Sequence, residues 1–252
     1  LAANKKGFID KTWTFDLQES VTPQYRLFPR RSVLQKWRQK ELERLEQKAT
    51  HLAGQTIFTA ATNKAAYIDA GIVPSGQAYH IPYFYDARVF ESGAPPEANG
   101  FEIRYFGTFD WRGIRSPKVF LGVLAEFLKR HPEARSKTRF VFYGMWHAEH
   151  DRLIREYELA DVVDIKAAVP YEQYLEKVRG ATVQLLVVSS EHNLFMPSKI
   201  VDYFGAGRPI LAFVPQGSEM RDVLEQAGMA RYTVDQSDLE GGVGAITSLW
   251  ES

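Results

Sequence analysis

From residue 100 onward, short apolar runs alternate with stretches of helical period, and this alternation restricts the possible folds more than any other feature. Runs at Glu102–Phe106, Arg139–Tyr143, Val162–Lys166, Val183–Val188 and Pro209–Phe213 read as strands. Helical patterns at Pro117–Lys129, Glu149–Tyr157, Tyr171–Val178, Ser198–Ala206 and Ser218–Gln226 lie among them. Strands separated by single helices form βαβ units, so the spacing predicts an α/β fold with a parallel sheet. Pro117 and Pro170 stand where a first-turn proline is tolerated, Gly207 and Gly228 where helices stop.

Upstream, Glu91–Gly100 reads ESGAPPEANG, prolines and glycines among small and acidic residues with no apolar period, which marks a linker. Before it, Ser32–Ala53 reads as a long amphipathic helix whose Leu34, Trp37, Leu42, Leu45 and Leu52 fall on one stripe. A strand at Thr56–Ala60, a helix at Asn63–Ala70 stopped by Gly71, and a strand at Gln77–Ile81 ending at Pro82 follow. One β-α-β passage and a helix are too little for a complete doubly wound sheet. Residues 1–90 are therefore expected to be the latter part of one domain, 91–100 a linker and 101–252 a second domain. No internal repeat is visible, and a chain that opens on Leu1 need not show its natural start.

Charge and composition exclude several classes. Lys plus Arg equals Asp plus Glu at 31 each, so no global field draws the chain to nucleic acid, and no nucleic-acid partner is expected. The absence of cysteine rules out disulfides and thiolate chemistry and fits a reducing compartment. Apolar runs such as Val183–Val188 are too short to span a bilayer, and no signal peptide opens the chain, so the expected location is cytoplasmic. No P-loop and no G-x-S-x-G elbow is present, and Gly241–Gly244 is no dinucleotide fingerprint because no strand is predicted before it. His147 and His150 in HAEH have metal-compatible spacing, but no further ligands cluster with them and no metal site is expected. There is also no D-x-D run to hold a divalent ion against a diphosphate. Arg and Lys are left to neutralise such a charge.

The stretch Met196–Phe213, MPSKIVDYFGAGRPILAF, carries the clearest chemistry. Ser198 can cap a helix, Lys199 lies in its first turn, and Gly207 ends it before an apolar strand. Unpaired amides and the positive dipole end at such a start favour an anion, and a diphosphate is a natural guest. One charge-assisted bond there contributes about 1.5 to 3 kcal/mol. Asp202 lies one turn beyond Ser198 on the same face, where a carboxylate can accept from two ribose hydroxyls. The plainer reading leaves Ser198 a simple cap and Asp202 a solvated helix residue.

This stretch resembles the PSK-L-(F/Y)-E-Y-(L/M)-A-A-G-(R/K)-P-I-L segment of GT4-type glycosyltransferases of the GT-B fold. Ile103–Asp110, IRYFGTFD, is similar to the family's first donor-domain strand and its phosphate-side glycine turn. Phe140–Gly144, FVFYG, is similar to the next strand, and Leu159–Tyr174 resembles the "GL-x-D-x-V-x-F-x-G-x-V-P-Y-E-x-L" passage. Leu52–Asp86, ending in HIPYFYD, resembles the end of the acceptor domain with Tyr83 where Asn is common, and DLQES, Asp16–Ser20, is vaguely like a D-x-x-D/E turn. The resemblance implies a Rossmann-like donor domain at 101–252 and an incomplete Rossmann-like domain before it.

It also implies roles. Gly107, Thr108 and Gly144 would let backbone approach a nucleotide-sugar, with Arg112 and Arg115 supplying charge to its diphosphate. Ala168 and Val169 would line the base, while Ser198, Lys199 and Ile200 would hold the diphosphate. Asp202 occupies the ribose-binding Glu position, one methylene shorter. Ser218 and Glu219 match a "P-x-G-S-E" turn. The family's acid against the transferred sugar would fall on Leu194, with Glu191 and His192 nearby, and Glu191, Lys199 and Arg115 are the catalytic candidates. Thr108 and Ala167 depart from the usual pattern. Trp13, Tyr83, Phe84, Tyr85 and Trp111 can stack on sugar or base, or simply fill core.

The implied activity is metal-independent, retaining transfer from a nucleoside diphosphate sugar, a substrate rather than a cofactor, to a glycan, lipid-linked or polysaccharide acceptor. A lipid-linked acceptor would place the chain peripherally at the inner membrane face. A non-catalytic nucleotide-binding scaffold and a sugar-nucleotide epimerase remain as alternatives.

Overall fold

The computed structural model describes residues 14–17, 32–91, 100–109, 115–189, 194 and 196–252. Glu191, His192, Arg112, Trp111, Trp13, Gln18–Ser20 and positions 92–99 of the expected linker lie outside the described residues. The chain divides into two compact units, Leu1–Tyr83 with Glu191–Met196, and Phe84–Ser190 with Pro197–Ser252.

In the first unit, β1 (Thr14–Leu17), α1 (Val33–Leu52), β2 (Gln55–Phe58), α2 (Ala61–Asp69) and β3 (Ala78–His80) follow in order. Their sheet runs β1-β2-β3 with both ladders parallel. Leu17, Phe58, Tyr67, Val73 and Ala78 form its core. β1 was not expected from the sequence, because TFDL is short and carries Asp16; it takes in the start of the supposed DLQES turn. The stripe assigned to α1 is also corrected. Leu34 and Trp37 are 74% and 66% exposed, whereas Glu46, Ala49 and Thr50 are buried. Small and polar side chains mark the buried side of α1, and Glu46 accepts from the Tyr67 hydroxyl.

The second unit contains α3 (Ala87–Glu91), β4 (Phe101–Thr108), α4 (Lys118–Arg130), β5 (Thr138–Met145), α5 (Asp151–Glu156), β6 (Val163–Lys166) and α6 (Tyr171–Arg179). It continues through β7 (Val183–Val187), α7 (Lys199–Ala206), β8 (Ile210–Phe213), α8 (Glu219–Gln226), β9 (Thr233–Val234) and α9 (Leu239–Trp250). The sheet order is β6-β5-β4-β7-β8-β9, parallel throughout. The chain thus builds outward from β4 to β6, then returns to β7 on the other side of β4. Every residue of β7 and β8 is buried, as central parallel strands require.

One sheet face is covered by α4, whose Phe120, Leu121, Val123, Leu124, Phe127 and Leu128 are buried. α9 packs against α4 through Gly242, where a Cβ would lie 2.7 Å from Val123 Cγ2 and 3.3 Å from Phe213 Cε1. The glycines at 241–244 therefore belong to a helix, in which Gly242 is the one that needs close approach, and a two-residue strand, β9, does precede them. Phe84–Glu91 pack with this unit, so the division falls ahead of the proline-rich stretch that the sequence suggested.

Ser218 caps α8. Its hydroxyl accepts from Arg221 N at 3.4 Å and donates to Pro215 O at 2.9 Å, and the residue is buried. Ser218→Ala is expected to lower stability by about 1 kcal/mol in urea denaturation. An unchanged midpoint would show that the turn holds without the cap.

Candidate functional site

In an open parallel sheet, loops diverge at the carboxyl edge where the chain reverses direction along the sheet, leaving a crevice. Here that point lies between β4 and β7, and a cavity of about 670 Å³ opens in the second unit at the ends of β4 and β5. Its wall includes Phe106–Thr108 from β4, Tyr143 and Gly144 from β5, and Ala168 and Val169 beyond β6. Tyr171 and Tyr174 of α6, and Ser198, Lys199, Val201 and Asp202 at the start of α7, line it as well. The segment Phe84–Phe90 contributes a further wall.

The floor is shaped by a pair of glycines. Gly107 and Gly144 are register partners at adjacent strand ends, with φ of +141° and +144°. A Cβ on Gly144 would stand 1.8 Å from Gly107 O, and one on Gly107 would stand 2.9 Å from Lys199 Nζ. Only glycine fits either position, which leaves bare backbone at the cavity base.

Lys199 reaches across this floor from the first turn of α7. Its ammonium donates to Phe106 O at 2.6 Å and lies 4.4 Å from the centroid of the Tyr105 ring. Burial, with the charge of Arg115 as a second cause, pulls its pKa down to about 7. It is the cation among the described lining residues, which also include the acids Asp86 and Asp202. Ser198 starts α7 without a capping bond from its side chain, contrary to the expected cap, and is exposed at the cavity. Gly207, at φ +63°, closes the helix as expected.

Asp202 sits half-buried one turn on. Tyr174 Oη donates to its Oδ2 at 3.0 Å and Tyr171 Oη approaches Oδ1 at 3.5 Å. Burial raises the carboxyl pKa above its ordinary value, opposed by the two tyrosine hydrogen bonds. Phe106 and Tyr143 stack at 5.1 Å and 7°, with Tyr174 edge-on to Phe106.

Of the residues singled out from sequence, Gly107, Thr108, Gly144, Ala168, Val169, Ser198, Lys199 and Asp202 meet at this one cavity. Ile200 does not. Its side chain is buried, and its amide donates to Pro197 O at 3.0 Å, so that donor is already engaged. Arg115 is not among the lining residues, although its charge acts on Lys199. Arg112 and Glu191 lie outside the described residues, and Leu194 is half-buried in the other unit. Phe84 and Tyr85, two of the aromatics offered for stacking, also line the cavity. The sequence reading gave no role to Tyr143, Tyr171 or Tyr174, nor to Val89 and Phe90 of α3. Tyrosines three apart directly after Pro170 were the available signal, since that spacing puts both on one helix face.

No family model and no curated protein sequence matches the chain. Solved structures do. Sucrose-phosphate synthase from Thermosynechococcus elongatus superposes with a TM-score of 0.66 at 14% identity, covering 100% of this chain and 61% of its own. The UDP-forming α,α-trehalose-phosphate synthase from Burkholderia xenovorans, in complex with glucose-6-phosphate, gives 0.68 at 13% identity, covering 99% and 62%. A trehalose-6-phosphate structure from E. coli, bound with UDP-2-fluoro glucose, gives 0.67 at 14% identity, covering 97% and 61%. The chain has the GT-B fold. It spans about three-fifths of the length of these GT-B glycosyltransferases. Among the described residues no helix is long and apolar enough to cross a membrane.

Proposed function

We propose that this chain is the nucleotide-sugar-binding part of a glycosyltransferase that moves a glycosyl group from a nucleoside diphosphate sugar to a hydroxyl acceptor. One observation carries the reading: a bare glycine floor, a lysine ammonium and the start of α7 meet at the sheet's switch point, with a carboxylate one turn beyond. Backbone at Gly107, Thr108 and Gly144 lets a diphosphate approach closely, and Ser198 with Lys199 holds it. Asp202 receives the ribose, and Ala168 with Val169 bounds the base. The bond from the anomeric carbon to the diphosphate breaks as the acceptor oxygen attaches and gives up its proton to the departing diphosphate. Positive charge from Lys199, with Arg112 and Arg115 as further candidates, stabilises the departing diphosphate without a metal. Glu191 is the candidate acid toward the transferred sugar.

The finer assignment, a retaining transferase of the GT4 type acting on a glycan, lipid-linked or polysaccharide acceptor, rests on the sequence resemblance. The sucrose- and trehalose-phosphate synthases add a sugar phosphate as an acceptor to test. A non-catalytic nucleotide-binding module is the second reading, favoured by Leu194 standing where the resemblance puts an acid.

Calorimetric titration with UDP, GDP, ADP and dTDP is expected to give a micromolar to low-millimolar dissociation constant for at least one. Release of that nucleotide from its glucose conjugate in the presence of glucose 6-phosphate or a glycan then separates a transferase from a binding module. Failure of all four to bind at millimolar concentration would overturn the donor-site assignment.

A further inference from the structure

Asp202 does not meet the cavity as a bare carboxylate, and the two hydroxyls that face it are unequal. Tyr174 lies edge-on to Phe106, with ring centroids 5.0 Å apart, and makes the 3.0 Å bond to Oδ2. Tyr171 stacks loosely on Tyr174 at 5.8 Å, is 62% exposed, and makes only the 3.5 Å approach to Oδ1. A bond near 3.0 Å from an anchored ring fixes a carboxylate; one at the outer limit from a solvated ring costs little to break.

We infer that Tyr174 is the positioning residue that aims Asp202 at the vicinal diol of a nucleoside, while Tyr171 holds the diol's place at Oδ1 and is displaced by it. The site thereby selects ribonucleotides over deoxyribonucleotides. This rests on reading Asp202 as the ribose acceptor. A carboxylate has about four lone-pair positions, so Tyr174 and two sugar hydroxyls can share it. With only one methylene in its side chain, Asp202 has little freedom to seek the diol, and its direction is set by the Tyr174 bond.

Tyr171 gives the idea its distinctive consequence. When the 2′-hydroxyl is absent, Tyr171 can return to the carboxylate and soften the penalty that an unmatched acceptor would impose. Removing each hydroxyl should therefore change selectivity in opposite directions.

The test uses the full chain and Tyr174→Phe and Tyr171→Phe, each titrated calorimetrically with ADP, GDP and UDP and with their 2′-deoxy forms. The unaltered chain is expected to prefer the ribonucleotide about tenfold, the value of one modest hydrogen bond. Tyr174→Phe should shrink that preference to about twofold or less. Tyr171→Phe should widen it severalfold, with ribonucleotide affinity equal or higher. If the unaltered chain binds none of the six, the nucleotide-site reading fails and this inference fails with it. If it binds and the ratio is the same in all three proteins, only the inference is overturned. Should Tyr174→Phe prove unfolded by circular dichroism, Tyr171→Phe decides alone, because a ratio that narrows or stays constant sinks the proposal.

Discussion

Gly144→Ala is expected to lower the stability of the second unit by about 3 kcal/mol or more and to abolish measurable nucleotide binding. The new Cβ would stand 1.8 Å from Gly107 O, a backbone atom with no rotamer to escape into, and φ is +144°. Overpacking and a glycine-only backbone conformation each cost about 1–3 kcal/mol. For a domain of this size the melting temperature should fall by roughly 6–12 °C. Gly217→Ala is the control, since its φ is +64° but no atom lies within 4 Å of the added carbon. That variant measures backbone strain alone and should lose about 1 kcal/mol. Equal melting temperatures for the two variants would refute the claim that the β4 and β5 ends touch.

Lys199→Met is expected to weaken nucleoside diphosphate binding by about 10- to 100-fold, the range for one charge-assisted hydrogen bond, without loss of thermal stability. The methionine keeps an apolar stem against Tyr105 while removing an ammonium from a site that burial makes unfavourable for charge. A pH signature goes with it. The folded pKa, about 7, lies below the unfolded value, so the unfolded chain holds more protons between the two. Stability therefore gains from Lys199 as pH rises through that interval, and the substitution should remove this gain. Diphosphate favours the charged form, so binding at about pH 8 takes up a proton and binding at about pH 6 does not. Calorimetry in buffers of different ionisation enthalpy measures the uptake. Subtracting the Lys199→Met result isolates it from titration of the nucleotide; equal uptake in both proteins would mean the ammonium never meets the phosphate.

The second unit was more legible in the sequence than the first because its strands β7 and β8 are buried on both faces. Runs such as VQLLV and ILAF admit one reading, and their positions shifted by only a residue or so. β9 was too short to register, and α9 was hidden by glycines that usually break helices, of which Gly242 here lets α4 approach. In the first unit, α1 misled because its largest apolar residues do not mark its packed side; Ala49 and Thr50 do, and small residues leave no stripe. At the cavity, the anion-binding end was readable because Pro, Ser, Lys and a terminating Gly form a local pattern. The tyrosine hydroxyls at Asp202 were not, since a helical tyrosine reads as packing until its neighbour on another helix is known. The α3 wall is more than a hundred residues from α7 in sequence, and no local pattern ties the two together.

That wall has a practical consequence. Phe90 lies so close to Gly205 that a Cβ there would stand 2.5 Å from Phe90 Cε2, and Phe84, Tyr85 and Val89 border the cavity beside it. Trimming the gene at the proline-glycine segment, where a sequence alone invites the cut, would yield a truncated domain with one flank of its binding cleft stripped away and an apolar helix surface bared to water. An excised module should begin ahead of Phe84.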